Sequence, residues 1–205
     1  MYLDDKEKEF ISKKIENLEK SSSAELVAVV TKRSRKYKYA SSILNICIVF
    51  SISIFIIFFT SFSNIELLQV QLLVFIGISL LLEKFDNLIL YILPKTYKKA
   101  KASQNAHKQF FNLGLNRTKT KQVIMFFVSL DEKYVEIITD TTISEKIKDE
   151  YWQKIIDEFI LDVKKNELAK GYLKAIESCS HILIKEFPVQ ENDKNELSND
   201  VIELR

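Results

Sequence analysis

The sequence predicts an α/β (α+β) domain, a small mixed sheet flanked by helices, that is interrupted after its first strand by a two-helix transmembrane hairpin. Three observations lead to this fold class. No Asp, Glu, Lys or Arg occurs between Lys38 and Glu66. Short apolar runs typical of buried strands lie on both sides of that segment, and amphipathic segments with helical spacing surround the runs. One domain, split by an insertion, therefore accounts for the whole pattern.

Composition excludes several other classes. The chain has 205 residues, with 47% hydrophobic residues but only three Gly, two Pro and two Cys. These counts exclude collagen-like and disulfide-stapled folds, and the apolar content argues against a disordered chain. The net charge of +2 comes without a long basic stripe, so no nucleic-acid partner is predicted.

The first span is predicted at residues 40–62, where Ile, Val and Phe dominate. As a helix, this stretch would measure about 35 Å, which is enough to cross a hydrocarbon core of about 30 Å. The second span is predicted at about 67–93. It is interrupted by Glu83, Lys84 and Asp86, and the cost of charge in lipid places these side chains at the interface, with the following residues lying along it.

Charged residues that flank the spans predict the orientation. Cations precede the first span and follow the second, whereas the connector at 63–66 has none; the cations are Lys32, Arg33, Arg35, Lys36, Lys38, Lys95, Lys98, Lys99, Lys101 and Lys108. Cytoplasmic loops carry the excess of Lys and Arg, so both termini are expected in the cytoplasm. The lysines at 95–108 are also suited to anionic lipid headgroups.

The segment before the hairpin predicts one helix and one strand. Asp4 and Glu7 have the spacing of a capping box at the start of the helix. Residues 25–31 are almost continuously apolar, which is typical of a central strand covered on both faces. Since one helix and one strand cannot form a core, the rest of the domain is expected after the hairpin.

The segment after the hairpin predicts a helix ending at Gly114, then two strands at 122–130 and 134–140 joined by a tight turn. Thr142 and Glu145 are expected to form a capping box, and two amphipathic helices follow. Because a helix lies between the first two strands, these strands should be parallel. The predicted division of the chain is 1–38 and 95–188 for the split cytoplasmic domain, 39–94 for the hairpin, and 189–205 for a polar, disordered tail.

Four segments of the soluble parts have a familiar pattern: SSSAELVAVVTKRS at 21–34, AHKQFFNLGLNRTKTKQVIMFFVSLDEKYVEIITD at 106–140, WQKIIDEF at 152–159 and KGYLKAI at 170–176. Together they resemble the TPM domain family, in particular bacterial members with a membrane hairpin after the first strand. The resemblance implies a TPM-like sandwich at a membrane. Some members of the family resemble metal-dependent acid phosphatases and others are accessory proteins. This chain departs from the family pattern where a glycine-rich G-x-G is replaced by Asp140-Thr141-Thr142.

Asp140 is the residue considered first as a metal ligand, because it ends a strand where a loop could gather oxygen ligands. Glu25, Thr141 and Thr142 are its conceivable helpers. The simpler interpretation is that Asp140 and Thr142 cap the following helix, and we favour it.

The remaining polar residues predict no site. His107 and His181 lack the neighbouring Cys or His that zinc requires, and both are expected at the surface or at the boundary of the core. Trp152 is expected to anchor its helix in the core. Structural roles are also predicted for the other candidates, namely a solvated helix face for Asp157, Glu158 and Asp162, and packing for Cys47 and Cys179. No catalytic, cofactor-binding or metal-binding residue is therefore assigned, although a divalent metal such as calcium is compatible with the alternative below.

The resulting hypothesis is an integral protein of the bacterial inner membrane, with both termini cytoplasmic, that acts as an accessory or docking factor for a membrane complex. The expected partners are the lipid bilayer and another membrane protein or a second copy, without nucleic acid or a defined small-molecule substrate. The alternative is a weak metal-dependent phosphatase at the membrane surface.

Overall fold

The computed structural model describes residues 2–85, 87–190 and 195–204. The chain forms two compact units: the sheet unit, Met1–Ser34 with Lys99–Arg205, and the hairpin unit, Arg35–Lys98. In chain order the elements are α1 (Asp5–Glu19), β1 (Glu25–Thr31), α2 (Lys38–Phe59), α3 (Asn64–Lys84), α4 (Leu88–Ile92), α5 (Lys95–Asn112), β2 (Val123–Ser129), β3 (Tyr134–Thr139), α6 (Thr141–Lys146), α7 (Asp149–Lys164), α8 (Leu168–Glu186) and β4 (Ile202–Leu204).

The sheet has the strand order β3-β2-β1-β4. β1 runs parallel to β2 and to β4, and β2 pairs with β3 in an antiparallel hairpin. The predicted parallel pairing of the first two strands is therefore confirmed. Every residue of β1 and β2 is buried, as their nearly continuous apolar sequences require of central strands.

Helices cover both faces of the sheet. On one face, α1, α7 and α8 pack against the sheet around Phe126, Phe159 and Tyr172, whose rings meet edge to face with centroids 4.8–5.3 Å apart. The Tyr172 hydroxyl donates a hydrogen bond to the Val29 carbonyl at 3.1 Å. On the other face, α5 contributes Phe110 to a second cluster. The mixed sheet flanked by helices is the predicted fold class.

Local signals at the helix ends are partly confirmed. Asp4 and Glu7 form the predicted capping box of α1. Gly114 follows α5 with φ of +71°, the left-handed conformation for which glycine is suited. The predicted capping box of Thr142 and Glu145 is wrong, because α6 begins two residues earlier than that box requires and Asp140 is its N-cap.

The C-terminal segment corrects a second prediction. Its described residues 195–204 include strand β4, whose Ile202, Glu203 and Leu204 pair with Val29, Val30 and Thr31 of β1. The expected disordered tail is therefore wrong for these residues, because β1 offers an edge with free backbone groups that a short apolar segment can occupy. Residues 191–194 and 205 lie outside the described part of the chain.

The hairpin unit has two helices, α2 and α3, that are long and apolar enough to cross a membrane. The second span differs from the prediction of 67–93. α3 starts at Asn64, with Ser63 and Glu66 forming its capping box, and ends at Lys84. The separate helix α4 follows, so the apolar residues after the charged break do not extend the span. Asp86, the last residue of that predicted break, lies outside the described residues.

Polar side chains lie between the two long helices. Asn45 and Ser53 of α2 are 2% and 5% exposed. The Asn45 amide donates to the Ser79 hydroxyl at 2.7 Å and to the Phe75 carbonyl at 3.1 Å, and the Gln71 amide donates to the Ser53 hydroxyl at 2.7 Å. The outer surface is apolar and exposed at Ile43, Ile46, Phe50, Phe55, Ile57, Phe58, Leu68, Leu72, Leu73 and Leu80. A helical pair in water buries its apolar side chains and exposes its polar ones, whereas this hairpin does the opposite.

Candidate functional site

Polar residues gather where β1 and β2 end, at the carboxyl edge of the sheet. Thr31 and Ser129 are the last residues of these strands and lie opposite each other in the pairing register. They are 2% and 0% exposed. In open α/β sheets this edge is the usual place for ligands, which makes it a candidate site.

A buried carboxylate organises the carboxyl edge. Glu132, in the turn after β2, is only 5% exposed. Its two oxygens accept a hydrogen bond from the Ser34 backbone N–H, each at 3.2 Å, and one of them also accepts a short hydrogen bond from the Ser129 hydroxyl. The Ser34 hydroxyl donates to the Ser129 oxygen at 2.9 Å. These donors satisfy a charge that would otherwise be costly to bury.

An ion pair between Arg33 and Asp131 lies at the same edge. The Arg33 Nε lies 2.9 Å from Asp131 Oδ2, and both side chains are largely buried. The backbone N–H of Asp131 donates to the Lys32 carbonyl at 2.8 Å, and the Thr31 hydroxyl donates to the Arg33 carbonyl at 3.1 Å. We call Thr31, Arg33, Ser34, Ser129, Asp131 and Glu132 the carboxyl-edge cluster.

Members of the carboxyl-edge cluster hydrogen-bond mainly to one another. The cluster therefore joins the segment that leaves β1 to the turn between β2 and β3, rather than presenting an open set of ligands. Sequence reasoning treated 131–133 only as a tight turn. The signal that could have identified the cluster is that polar residues follow two strands predicted to be parallel, whose carboxyl ends must meet at one edge.

Asp140 and Glu25 lie at the opposite edge. Glu25 pairs with Val123, whose carbonyl accepts a hydrogen bond from the Asp140 N–H at 2.9 Å. Asp140 Oδ1 accepts from the Thr141 N–H at 2.7 Å, so the favoured capping role is observed. Asp140 Oδ2 is buried without a hydrogen-bond partner among the described residues. Glu25 Oε1 accepts from the Glu196 N–H at 2.6 Å.

This opposite edge brings two carboxylates to one end of the sheet, but it does not assemble a larger ligand set. Within residues 2–85, 87–190 and 195–204, no group of three or more His, Cys, Asp or Glu is placed to hold a metal ion. Thr142 uses its hydroxyl elsewhere and donates it to the Thr120 carbonyl at 3.4 Å. Phosphatase-like members of the family imply a metal ion, but the described residues contain no group of three such side chains that could bind one.

Both histidines lie at the surface. His107 Nε2 is 3.4 Å from Glu136 Oε1, which also accepts a hydrogen bond from the Ser103 hydroxyl at 3.2 Å. Burial raises the pKa of the neighbouring Tyr134. These contacts of Ser103 and His107 with Glu136 join α5 to β3. The sequence did not predict them, because the residues come from separate elements. His181 is exposed on α8.

The other candidates take structural positions. Trp152 is 4% exposed in the core, as expected. Asp157 and Glu158 are exposed, but Asp162 is buried at 4% exposure and corrects the predicted solvated face. Lys174 from α8 contacts Asp162 at 2.9–3.0 Å and holds the pKa of that carboxyl below its ordinary value.

These features define an α/β protein with a mixed four-stranded sheet and an inserted apolar helical hairpin. A family model described as the TPM domain matches residues 83–182, so the chain contains a TPM domain and the resemblance is confirmed. β1, the central strand that completes the sheet, precedes the matched region.

The fold is similar to the NMR structure of BA42 protein from the psychrophilic bacterium Bizionia argentinensis, with a TM-score of 0.62 and 18% identity. The similarity covers 99% of this chain and 96% of that chain. At this identity the similarity shows the fold alone. No curated protein has a significant match to the sequence.

Proposed function

We propose that the chain is an integral protein of the bacterial inner membrane that holds a TPM domain at the cytoplasmic surface as an accessory or docking factor. The observation that carries the proposal is the reversed polarity of the hairpin unit. Asn45 and Ser53 are buried between the helices, whereas Phe50, Phe55 and Phe58 are exposed. In water this surface would be unfavourable by about 25 cal/mol for each Å² of apolar area. In lipid it needs no further partner.

The proposed orientation places both termini in the cytoplasm, because cations flank the hairpin and none lies in the 60–63 connection. The carboxyl-edge cluster supports a structural role for the domain, since its polar groups bond to one another. The proposed partners are the bilayer and a further membrane protein or a second copy of the chain, with no nucleic acid and no defined small-molecule substrate.

Cysteine accessibility tests the membrane assignment. Cys47 is exposed on α2 and Cys179 is buried in the sheet unit. In native membranes a water-soluble maleimide should leave Cys47 unmodified, because a thiol in hydrocarbon is neither reached by the reagent nor ionised to the reactive thiolate. The same reagent should modify Cys47 once the membrane is dissolved and the chain is unfolded in sodium dodecyl sulfate. Efficient modification of Cys47 in native membranes would contradict the assignment, and the Cys47→Ser variant is the control for signal from other sites.

Orientation is tested in the Cys47→Ser background. A cysteine at Ser61, in the connection between α2 and α3, should react with an impermeant reagent added outside intact spheroplasts. A cysteine at Lys133, exposed in the sheet unit, should react only after the membrane is permeabilised. The opposite pattern would reverse the proposed topology.

A second candidate function is the weak metal-dependent phosphatase. One observation favours it: Asp140 Oδ2 is buried without a hydrogen-bond partner among the described residues. If the enzyme exists, the full chain in detergent should bind calcium, magnesium or manganese saturably and hydrolyse a phosphate ester, and Asp140→Ala should abolish both. Turnover with this mutational sensitivity would overturn the docking-only proposal. Folded protein without metal binding or turnover would exclude the phosphatase.

A further inference from the structure

The end of the hairpin unit that carries the cations has a defined shape, which we call the hairpin base, residues 35–40 with 84, 85 and 87–98. Tyr37, Ile89 and Leu90 are buried against one another and pack with Leu44 and Leu93. α4 therefore lies against the first turns of α2 instead of extending α3.

Two contacts attach the start of α5 to the hairpin base. The Tyr37 and Tyr97 ring centroids are 6.3 Å apart, and the Lys98 ammonium donates to the Leu90 carbonyl at 2.6 Å. Leu90 is close to the C-terminus of α4, where carbonyl groups lack helical partners and attract a cation. The base is thus a packed structure within the hairpin unit.

Large apolar and aromatic side chains remain exposed around the hairpin base. Tyr39 and Tyr91 are 80% and 88% exposed, among the most exposed of the large side chains. Phe85, Leu88 and Ile92 are also exposed. Tyrosines with an apolar ring and a polar hydroxyl are enriched at the membrane–water interface, so this set is suited to the depth of the lipid headgroups. If the residues beside the spans served only to set the orientation of the hairpin, cations would be sufficient and exposed aromatic rings would not be needed.

The same end carries most of the hairpin unit's charge. Its cations are Arg35, Lys36, Lys38, Lys84, Lys95 and Lys98, against the acidic residues Glu83 and Asp86. At the other end the sequence places only Glu66. Cations near a membrane surface gain about 1 kcal/mol each from anionic lipids. Lys98 donates to the Leu90 carbonyl, and the Lys84 ammonium lies 5.7 Å from the centroid of the Phe85 ring. Arg35, Lys36, Lys38 and Lys95 are exposed and are the cations that we assign to headgroups.

We propose that the hairpin base is a binding surface for anionic phospholipid headgroups, with α4 lying in the plane of the interface and Tyr39 and Tyr91 at headgroup depth. The inference rests on the proposed membrane insertion and adds a lipid class to it. The combination of interfacial tyrosines with an excess of positive charge selects anionic over zwitterionic headgroups, because only the anionic ones carry a net negative charge to balance it.

The experiment uses the full chain reconstituted in nanodiscs of phosphatidylcholine mixed with phosphatidylglycerol, where both leaflets are equivalent and orientation has no effect. Lipids retained by the protein on gentle extraction are identified by mass spectrometry. We expect enrichment of phosphatidylglycerol in the wild type. In the variant Arg35→Gln, Lys36→Gln, Lys38→Gln, Lys95→Gln, the enrichment should fall by about tenfold or more.

The matched control is the variant Lys6→Gln, Lys148→Gln, Lys154→Gln, Lys164→Gln, at four exposed positions of the sheet unit, and it should keep the enrichment. A spin label at Tyr91→Cys, in the Cys47→Ser background, should show headgroup depth by its accessibility to oxygen and to a water-soluble nickel complex. A label at bulk-water accessibility would overturn the placement of α4.

Resistance to alkaline extraction measures insertion separately. Inserted protein without phosphatidylglycerol enrichment, or with equal enrichment in the two four-residue variants, would overturn the lipid inference and leave the membrane assignment standing. Protein that is extracted by alkali would overturn both.

Discussion

Glu132 provides the sharpest test of the carboxyl-edge cluster. In Glu132→Ala, the Ser34 N–H and the Ser129 hydroxyl lose a buried carboxylate acceptor. Hydrogen bonds to a charged group contribute about 1.5–3 kcal/mol each. Because two such contributions are not fully additive, we expect the free energy of unfolding to fall by about 3 kcal/mol, the lower end of the sum. Glu132→Gln keeps the shape and one oxygen acceptor, so it should lose about half as much.

For a chain of this size, each kcal/mol shifts the midpoint of thermal unfolding by about 2–4 °C, so Glu132→Ala should unfold about 6–12 °C below the wild type. Thermal unfolding of the detergent-solubilised chain, followed by near-ultraviolet circular dichroism, measures the shift. Glu158→Ala, at an exposed position of α7, is the control and should stay within about 0.5 kcal/mol. If Glu132→Ala behaves like this control, the buried carboxylate does not stabilise the cluster.

Three further predictions concern the sheet unit. Because Lys174 holds the pKa of Asp162 below its ordinary value of 3.8, the pair stabilises the fold above that value and its contribution is lost as the pH falls through the lowered pKa. Urea unfolding between pH 6 and pH 3 should therefore show a steeper loss for the wild type than for Lys174→Gln, and equal slopes would contradict the pairing. In Gly171→Ala, the added Cβ would lie 3.0 Å from Cδ2 of the buried Phe159 ring, so stability should fall by about 1 kcal/mol despite the better helix propensity of Ala; a rise in the unfolding midpoint would refute this. Burial raises the pKa of Cys179 to about 12, so a maleimide should modify it only in unfolded protein, and labelling of the native chain would show that α8 opens.

The sequence was sufficient for elements that depend on neighbouring residues. The capping box of Asp4 and Glu7 needs only their three-residue spacing, and the apolar stretch after Lys38 specifies α2 through composition. The parallel pairing of β1 and β2 also followed from chain order, because a helix between two strands makes a parallel crossover. These signals together predicted the fold class, and the mixed four-stranded sheet of the structure confirms it.

The candidate site was less accessible from sequence. Glu132 looked like a turn residue, and its burial depends on Ser34, which is distant in the chain but follows the neighbouring strand. Asp162 looked like part of a solvated face, because helical periodicity does not reveal that Lys174 on α8 lies beside it. In both cases the carboxylate is buried because a donor from another part of the chain, Ser34 for Glu132 and Lys174 for Asp162, lies beside it.

The sequence by itself determined that the chain has an α/β domain with helices around a small mixed sheet and two helices able to span a membrane, since apolar pattern and length control both. Only the tertiary structure decided that Ile202–Leu204 join the sheet, that Asn45 bonds to Ser79, and that α3 ends at Lys84 with α4 folded against α2. Each of these depends on a partner that folding brings into contact. The edge of β1, the Ser79 hydroxyl and the apolar surface of α2 can each stabilise a partner only if that partner lies close in space. The local sequence does not reveal which distant segments folding brings together.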